Sequence, residues 1–181
     1  MEDNTKRLET KRLILRKFTM DDVEGVYNNF ATDKETTKYL SWEPHKDISE
    51  TTELISRWIS EYENGTYYWA VELKETGEVI GSISGMNIDT KNSIITLGYC
   101  YGSKYWNKGY GTEVLRKVLE YLLLEAKFYL VEAYHSSENP ASGRIMQKAG
   151  MKYDGTLRER RLHKDGTRGD RVYYSMKKED L

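Results

Sequence analysis

The 181-residue chain is short of several things. It carries one cysteine, Cys100, so no disulfide can close within it; such cysteine use suits a reducing cytosol. It has 2 prolines, too few for a Pro-rich linker, and it holds no low-complexity tract. No apolar run approaches the roughly 18 residues that a membrane-spanning helix needs. Residues 1–12 lack the apolar stretch of a signal peptide, so a cytoplasmic protein with no membrane partner is expected. Neither sign of charge dominates: 28 Lys and Arg against 29 Asp and Glu leave a net charge of −1. That balance argues against a dedicated nucleic-acid binder, whose basic footprint enters the total. The 3 histidines, His45, His135 and His163, lack metal-ligand spacing, and no metal is expected.

What is present is a soluble-core composition, with 38% hydrophobic and 31% charged residues. One domain over 1–181 is the natural division at this length. Residues 12–18 alternate as a strand. Thr19 with Asp22 forms a capping-box-like start for a helix to about Phe30. Asp47 repeats that signal, and Leu54, Ile55, Trp58, Ile59 and Tyr62 then share one helical face. Residues 67–73, 79–88 and 93–101 read as three consecutive strands. Residues 109–127 have helical period, and 128–135 are β-rich. Asn139 caps a helix that Pro140 opens and Gly150 stops. Residues 153–162 and 171–177 are strands across a turn at 164–166. A strand–helix–strand unit inside an otherwise antiparallel series predicts an α/β (α+β) fold. It is a single mixed, mostly antiparallel sheet of about seven strands, with helices on both faces.

Two segments carry chemistry. In Tyr105-Trp106-Asn107-Lys108-Gly109-Tyr110-Gly111-Thr112, two glycines lie between a strand and a long helix. They allow close backbone approach, and the helix start offers unpaired N–H groups and partial positive charge, the parts of a phosphate cradle. The segment is neither a Walker A loop nor the dinucleotide fingerprint, because no Gly-Lys-Ser/Thr follows and Val114 stands at the third glycine's place. Read by itself it is equally a plain strand-to-helix turn. The second segment, residues 138–151, is by itself a well-capped helix with Asn139 as cap and Ser142 in the first turn.

Together the two segments resemble the GNAT superfamily of acetyl-CoA-dependent N-acetyltransferases. The chain is most similar to its branch of ribosomal-protein N-terminal acetyltransferases. Residues 8–16, Trp69-Ala70-Val71, residues 79–83, Leu97-Gly98-Tyr99 and residues 155–158 extend the likeness over nearly the whole chain. The resemblance implies a splayed central strand pair, 93–101 and 128–135, with the pantetheine arm of acetyl-CoA paired to backbone at Tyr99 and Tyr101. It implies the pyrophosphate on the N–H groups of Asn107, Lys108, Gly109, Tyr110, Gly111 and Thr112. It sets Asn139 and Ser142 against pantetheine and sulfur, with both counted as catalytic. The acceptor amine, on a protein N-terminus or a small molecule, would enter from the other side of the sheet, past Trp42, Glu43 and Pro44. Dimers are common in the branch, so a homodimer is possible.

Three positions depart from the family's pattern. Trp106 replaces a basic or Gln residue, Thr96 replaces a carboxylate that some relatives use as base, and Met146 replaces a tyrosine acid. Ser142 is then the hydroxyl left to assist the departing thiolate. Three rival readings stand beside the enzyme: a non-catalytic acyl-CoA-binding module, an RNA-contacting sheet around Arg158-Glu159-Arg160-Arg161, and a nucleophilic Cys100. The last has no base or orienter beside it in sequence.

Overall fold

The computed structural model describes residues 4–181. Its strands are β1 (Leu8–Glu9), β2 (Leu13–Arg16), β3 (Tyr68–Leu73), β4 (Val79–Asp89), β5 (Ile94–Tyr101), β6 (Leu130–Ser136), β7 (Lys152–Leu162) and β8 (Arg168–Met176). They form one sheet in the order β1-β2-β3-β4-β5-β6-β8-β7. β5 and β6 run parallel, whereas β1–β2, β2–β3, β3–β4, β6–β8 and β7–β8 are antiparallel. The expected sheet of about seven strands thus gains an eighth, β1. Two residues are too few to show an alternation, and Leu8 and Glu9 pair with Leu15 and Ile14. The helices are α1 (Val23–Val26), α2 (Lys34–Thr37), α3 (Ile48–Glu61), α4 (Tyr110–Leu124) and α5 (Pro140–Ala149).

The chain falls into two compact units, Met1–Gly85 with Tyr99–Tyr110, and Met86–Gly98 with Gly111–Leu181. In the first unit, alternation along β2 buries Leu13 and Leu15 completely, while Ile14 and Arg16 face the other way. Arg16 donates to Asp22 at 2.7 and 2.8 Å and to Glu72 at 2.5 Å, tying β2 to the following turn and to β3. The helix expected from Thr19 to Phe30 is three pieces: a 3₁₀ turn Met20–Asp22, then α1, then a π-helical stretch Tyr27–Ala31. The widened turn seats buried Asn29, whose amide donates to the Val79 carbonyl at 2.8 Å. Phe18, Val26, Phe30, Ile55 and Ala70 form the core there, with Trp58 and Tyr68 against it. Tyr62 closes α3: its hydroxyl accepts the Phe18 N–H and donates to the Tyr68 carbonyl, both at 2.9 Å.

In the second unit, α4 buries Val114, Leu115, Val118, Leu119 and Leu122, the stripe its helical period predicts. Asn139 and Gly150 bound α5 as read, the latter at φ 99°. The parallel ladder of β5 with β6 spans 94–97 against 130–133. β5 itself continues to Tyr101 and β6 to Ser136.

Candidate functional site

Each unit carries candidate functional groups. In the first, β5 runs into a 3₁₀ turn, Ser103–Tyr105, and then into the glycine-containing turn before α4. Gly102 is required at the start, because a Cβ there would lie 2.0 Å from the Asn29 carbonyl oxygen. The turn is pinned from several sides. Ser103 N–H donates to the Asp33 carboxylate at 2.7 Å, and the same oxygen accepts the Thr36 hydroxyl at 2.7 Å. Burial raises the Asp33 carboxyl, but these hydrogen bonds outweigh it and hold the group at about 2. Trp106 donates its indole N–H to the Tyr101 carbonyl at 2.7 Å, and Thr36 donates to the same oxygen at 3.1 Å. The Thr36 hydroxyl has one hydrogen, which the Asp33 carboxylate and this carbonyl share.

The turn itself has two left-handed residues, Asn107 at φ 60° and Gly109 at φ 81°. Asparagine tolerates this conformation and glycine has no Cβ to oppose it. Left-handed residues ahead of a helix gather N–H groups into an anion-binding nest. A cation lies on it that sequence reasoning missed. Arg12, from the residue before β2, donates to the Lys108 carbonyl at 2.9 Å and lies 4.4 Å from the Tyr110 ring centroid. A Cβ on Gly109 would come 3.5 Å from its guanidinium. Lys104 and Lys108 hold their ammonium groups 4.9 and 5.7 Å from the Tyr105 ring centroid. Where Trp106 supplies no charge, Arg12, Lys104 and Lys108 do, and these donors and charges fit a pyrophosphate. The only sequence signal for Arg12 was its place beside the first alternating strand, 96 residues before Lys108.

The second unit holds Gly111, Thr112, Asn139 and Ser142. The Asn139 side chain accepts the Ser142 N–H at 3.4 Å, and its own N–H donates to the Ser136 carbonyl at 2.8 Å. Both residues therefore sit in the first turn of α5, as their spacing requires. Gly143 lets α5 press on β6: a Cβ there would lie 2.5 Å from His135 Nε2. Gln147 donates to the Tyr174 hydroxyl at 2.9 Å, and Met146 is buried.

Cys100 Sγ lies 3.5 Å from Ser82 Oγ, and burial pushes its thiol up, away from the thiolate a nucleophile needs. His45 Nδ1 is 2.7 Å from Thr51 Oγ1, near Trp42, and burial lowers its pKa. His163 Nε2 lies 3.8 Å from Glu138. Arg158, Glu159 and Arg160 are exposed on β7. Among the described residues no group of three or more His, Cys, Asp or Glu is gathered as a metal site, and no helix is long and apolar enough to cross a membrane.

Comparison with known proteins agrees with this architecture. The uncharacterized N-acetyltransferase YoaA of Bacillus subtilis is 31% identical over 172 residues, covering 94% of this chain and 96% of that protein. The [ribosomal protein uS5]-alanine N-acetyltransferase of Escherichia coli is 25% identical over 163 residues, covering 84% and 81%. A GNAT-family acetyltransferase from Bacillus anthracis superposes with a TM-score of 0.85 at 24% identity, covering 96% and 99%. The microcin C7 self-immunity acetyltransferase MccE, solved with acetyl-CoA and AMP, superposes at 0.83 with 19% identity, covering 92% and 93%. The profile described as the acetyltransferase (GNAT) domain matches residues 12–152, from the arginine on the nest to the strand beyond α5, and the chain belongs to that family of acetyltransferases.

Proposed function

We propose that the protein moves an acetyl group from acetyl-CoA to a primary amine by direct attack, and that the acceptor is a protein N-terminal α-amine. The observation that carries the donor is the nest of Asn107 and Gly109 under the Arg12 guanidinium, opening a 15-residue helix. On this reading the N–H groups of Asn107, Lys108, Gly109, Tyr110, Gly111 and Thr112 hold the pyrophosphate. Backbone at Tyr99 and Tyr101 pairs with pantetheine. Asn139 orients the thioester, and Ser142 donates to the sulfur as the C–S bond breaks. Alignment of amine and thioester supplies roughly 7–11 kcal/mol of the barrier in well-oriented cases.

An α-amine has a pKa of about 8, so about a tenth of it is neutral at pH 7, far more than of a lysine side chain at about 10.4. The uS5-alanine acetyltransferase among the relatives points the same way. The test has two parts. Acetyl-CoA at 100 times its dissociation constant adds about 2.7 kcal/mol, which in a chain of this size raises the melting temperature by about 5–11 °C. Thiol release is then followed with peptides bearing a free N-terminal alanine, and with spermidine and an aminoglycoside. An unmoved melting temperature refutes the donor, and release confined to the small amines refutes the N-terminal acceptor.

A further inference from the structure

The outer strand of the sheet, β7, is interrupted where the sequence is most basic. Leu157 pairs with Arg171 of β8 and Arg161 with Gly169, so residues 158–160 lie opposite the single residue Asp170 and form a bulge. Glu159 at its centre is left-handed at φ 55°, a conformation that a residue with a side chain seldom adopts. The bulge is held on both sides. Glu159 N–H donates to the Asp170 carboxylate at 2.9 Å, and its carbonyl accepts from the Arg168 guanidinium at 3.1 Å. A bulge at a sheet edge blocks pairing with a further strand. Protection alone predicts polar flanks. Here the flanks are Leu157, 45% exposed, and Leu162, 64% exposed.

The charge is also uncommitted. Residues 157–171 hold six Arg and Lys against three Asp and Glu, a net +3 in a chain whose total is −1. Two of the acids are spent inside the hairpin: Asp170 on Glu159, and Asp165 on the Thr167 N–H and hydroxyl at 2.9 and 2.6 Å. Two of the cations are spent as well, Arg168 on the Glu159 carbonyl and Arg171 at 4.4 Å from the Tyr134 ring centroid. Arg158 and Arg160 are exposed, and among the described residues neither has a hydrogen-bond, ion-pair or ring partner. The Glu159 carboxylate between them pairs with neither.

The bulge is joined to the segment that opens α5. Asp170, whose carboxylate anchors Glu159, accepts the Ser137 N–H on its main-chain carbonyl at 3.1 Å, and the Ser136 carbonyl accepts the Asn139 N–H at 2.8 Å. Beyond the bulge, His163 Nε2 lies 3.8 Å from Glu138. A single residue, Asp170, thus stands between the bulge and the loop leading to Asn139.

We propose that the β7 bulge docks an acidic stretch, interspersed with apolar residues, of the acceptor protein downstream of its N-terminus. The assignment rests on the acetyl-transfer reading above. Arg158 and Arg160 pair with carboxylates, which the planar guanidinium fork fits, and Leu157 and Leu162 meet the apolar side chains between them. Peptide is favoured over single-stranded RNA because the free arginines are flanked by aliphatic side chains, not by the aromatics on which bases stack.

The test is fluorescence anisotropy on the full chain. The probe is a dye-labelled peptide whose N-terminal alanine is acetylated and whose downstream stretch alternates glutamate and leucine. Its glutamine counterpart and a labelled oligouridine are compared. The parent should bind the acidic peptide about tenfold tighter than the glutamine one, the scale of two exposed arginine–carboxylate pairs, and the preference should shrink as salt is raised. Arg158→Gln with Arg160→Gln should bring the two peptides within about twofold, with the melting temperature and its acetyl-CoA shift intact. Should the double substitution unfold the chain, the single ones take its place, each expected to lower the preference about threefold. Equal affinity of the parent for both peptides overturns the proposal. So does a preference kept by the folded double variant, or oligouridine bound tighter than the acidic peptide. With the peptides unblocked, thiol release should show a lower KM for the acidic one at similar kcat. No release from the parent overturns the partner's role as acceptor, while the blocked peptide reports the docking site independently.

Discussion

Replacing Asp33 with asparagine should destabilise the first unit in a manner that depends on pH. One carboxylate oxygen accepts both the Ser103 N–H and the Thr36 hydroxyl, and the other accepts the Glu35 N–H at 3.0 Å. An asparagine can present an acceptor to only one of those positions, so its NH₂ group must face a donor. The folded carboxyl titrates at about 2 against an ordinary value of 3.8. A folded pKa below the unfolded one gives stability that is fully present above the unfolded pKa and is lost as pH falls through the folded value. The full shift corresponds to about 2.4 kcal/mol at 1.36 kcal/mol per unit, and partial exposure reduces this to about 1–2 kcal/mol. Adding the misplaced NH₂, Asp33→Asn should cost about 2–3 kcal/mol at pH 7. In urea, with a slope of about 2 kcal/mol/M, the midpoint falls by about 1–1.5 M. About half of the charge contribution is gone by pH 3, so the gap between parent and variant should narrow on acidification. A cost under about 0.5 kcal/mol at pH 7, or a gap unchanged between pH 7 and pH 3, would refute the reasoning.

Two further substitutions address the proposed donor site. Ser142→Ala should lower kcat by roughly ten- to a hundredfold, about 1.4–2.7 kcal/mol, while leaving KM for acetyl-CoA nearly unchanged, because the hydrogen bond strengthens as charge develops on sulfur. Steady-state kinetics decide this, and an unaltered kcat with a lower melting temperature reduces Ser142 to a helix-start residue. Arg12→Gln should weaken acetyl-CoA binding by roughly tenfold, a low value for one charged hydrogen bond, and flatten its salt dependence. Calorimetry at two salt concentrations measures both effects, and an affinity equal to the parent's removes Arg12 from the site.

Elements whose signals are local were legible. Asn139, Pro140 and Gly150 bracket α5 because capping and helix stopping are decided within a few residues. Alternation marked β2 for the same reason, and the runs at 67–73, 79–88 and 93–101 were read as strands between turn signals. α2 was missed because Asp33 caps only four helical residues, fewer than a periodic pattern needs. The π-helical turn at Tyr27–Ala31 was missed because its cause, the seat for Asn29 against Val79, lies 50 residues away. In the candidate site, the glycine turn and Asn139 with Ser142 were visible as spacings. Arg12 was not, since it depends on a contact across 96 residues.

The guanidinium on the nest also bears on how such sites change through descent. Within residues 102–112 alone, the turn looks like a weakened copy of its pattern, because an indole occupies the place of a cation. The missing charge is supplied by Arg12, far outside that window, while Trp106 is employed in fastening the Tyr101 carbonyl. Positions 12 and 106 should therefore be substituted in concert among relatives: a cation at 106 frees position 12, and a tryptophan at 106 demands one there. A scan confined to the motif would score the second class as degenerate, although its members would carry the same charge delivered from outside the turn.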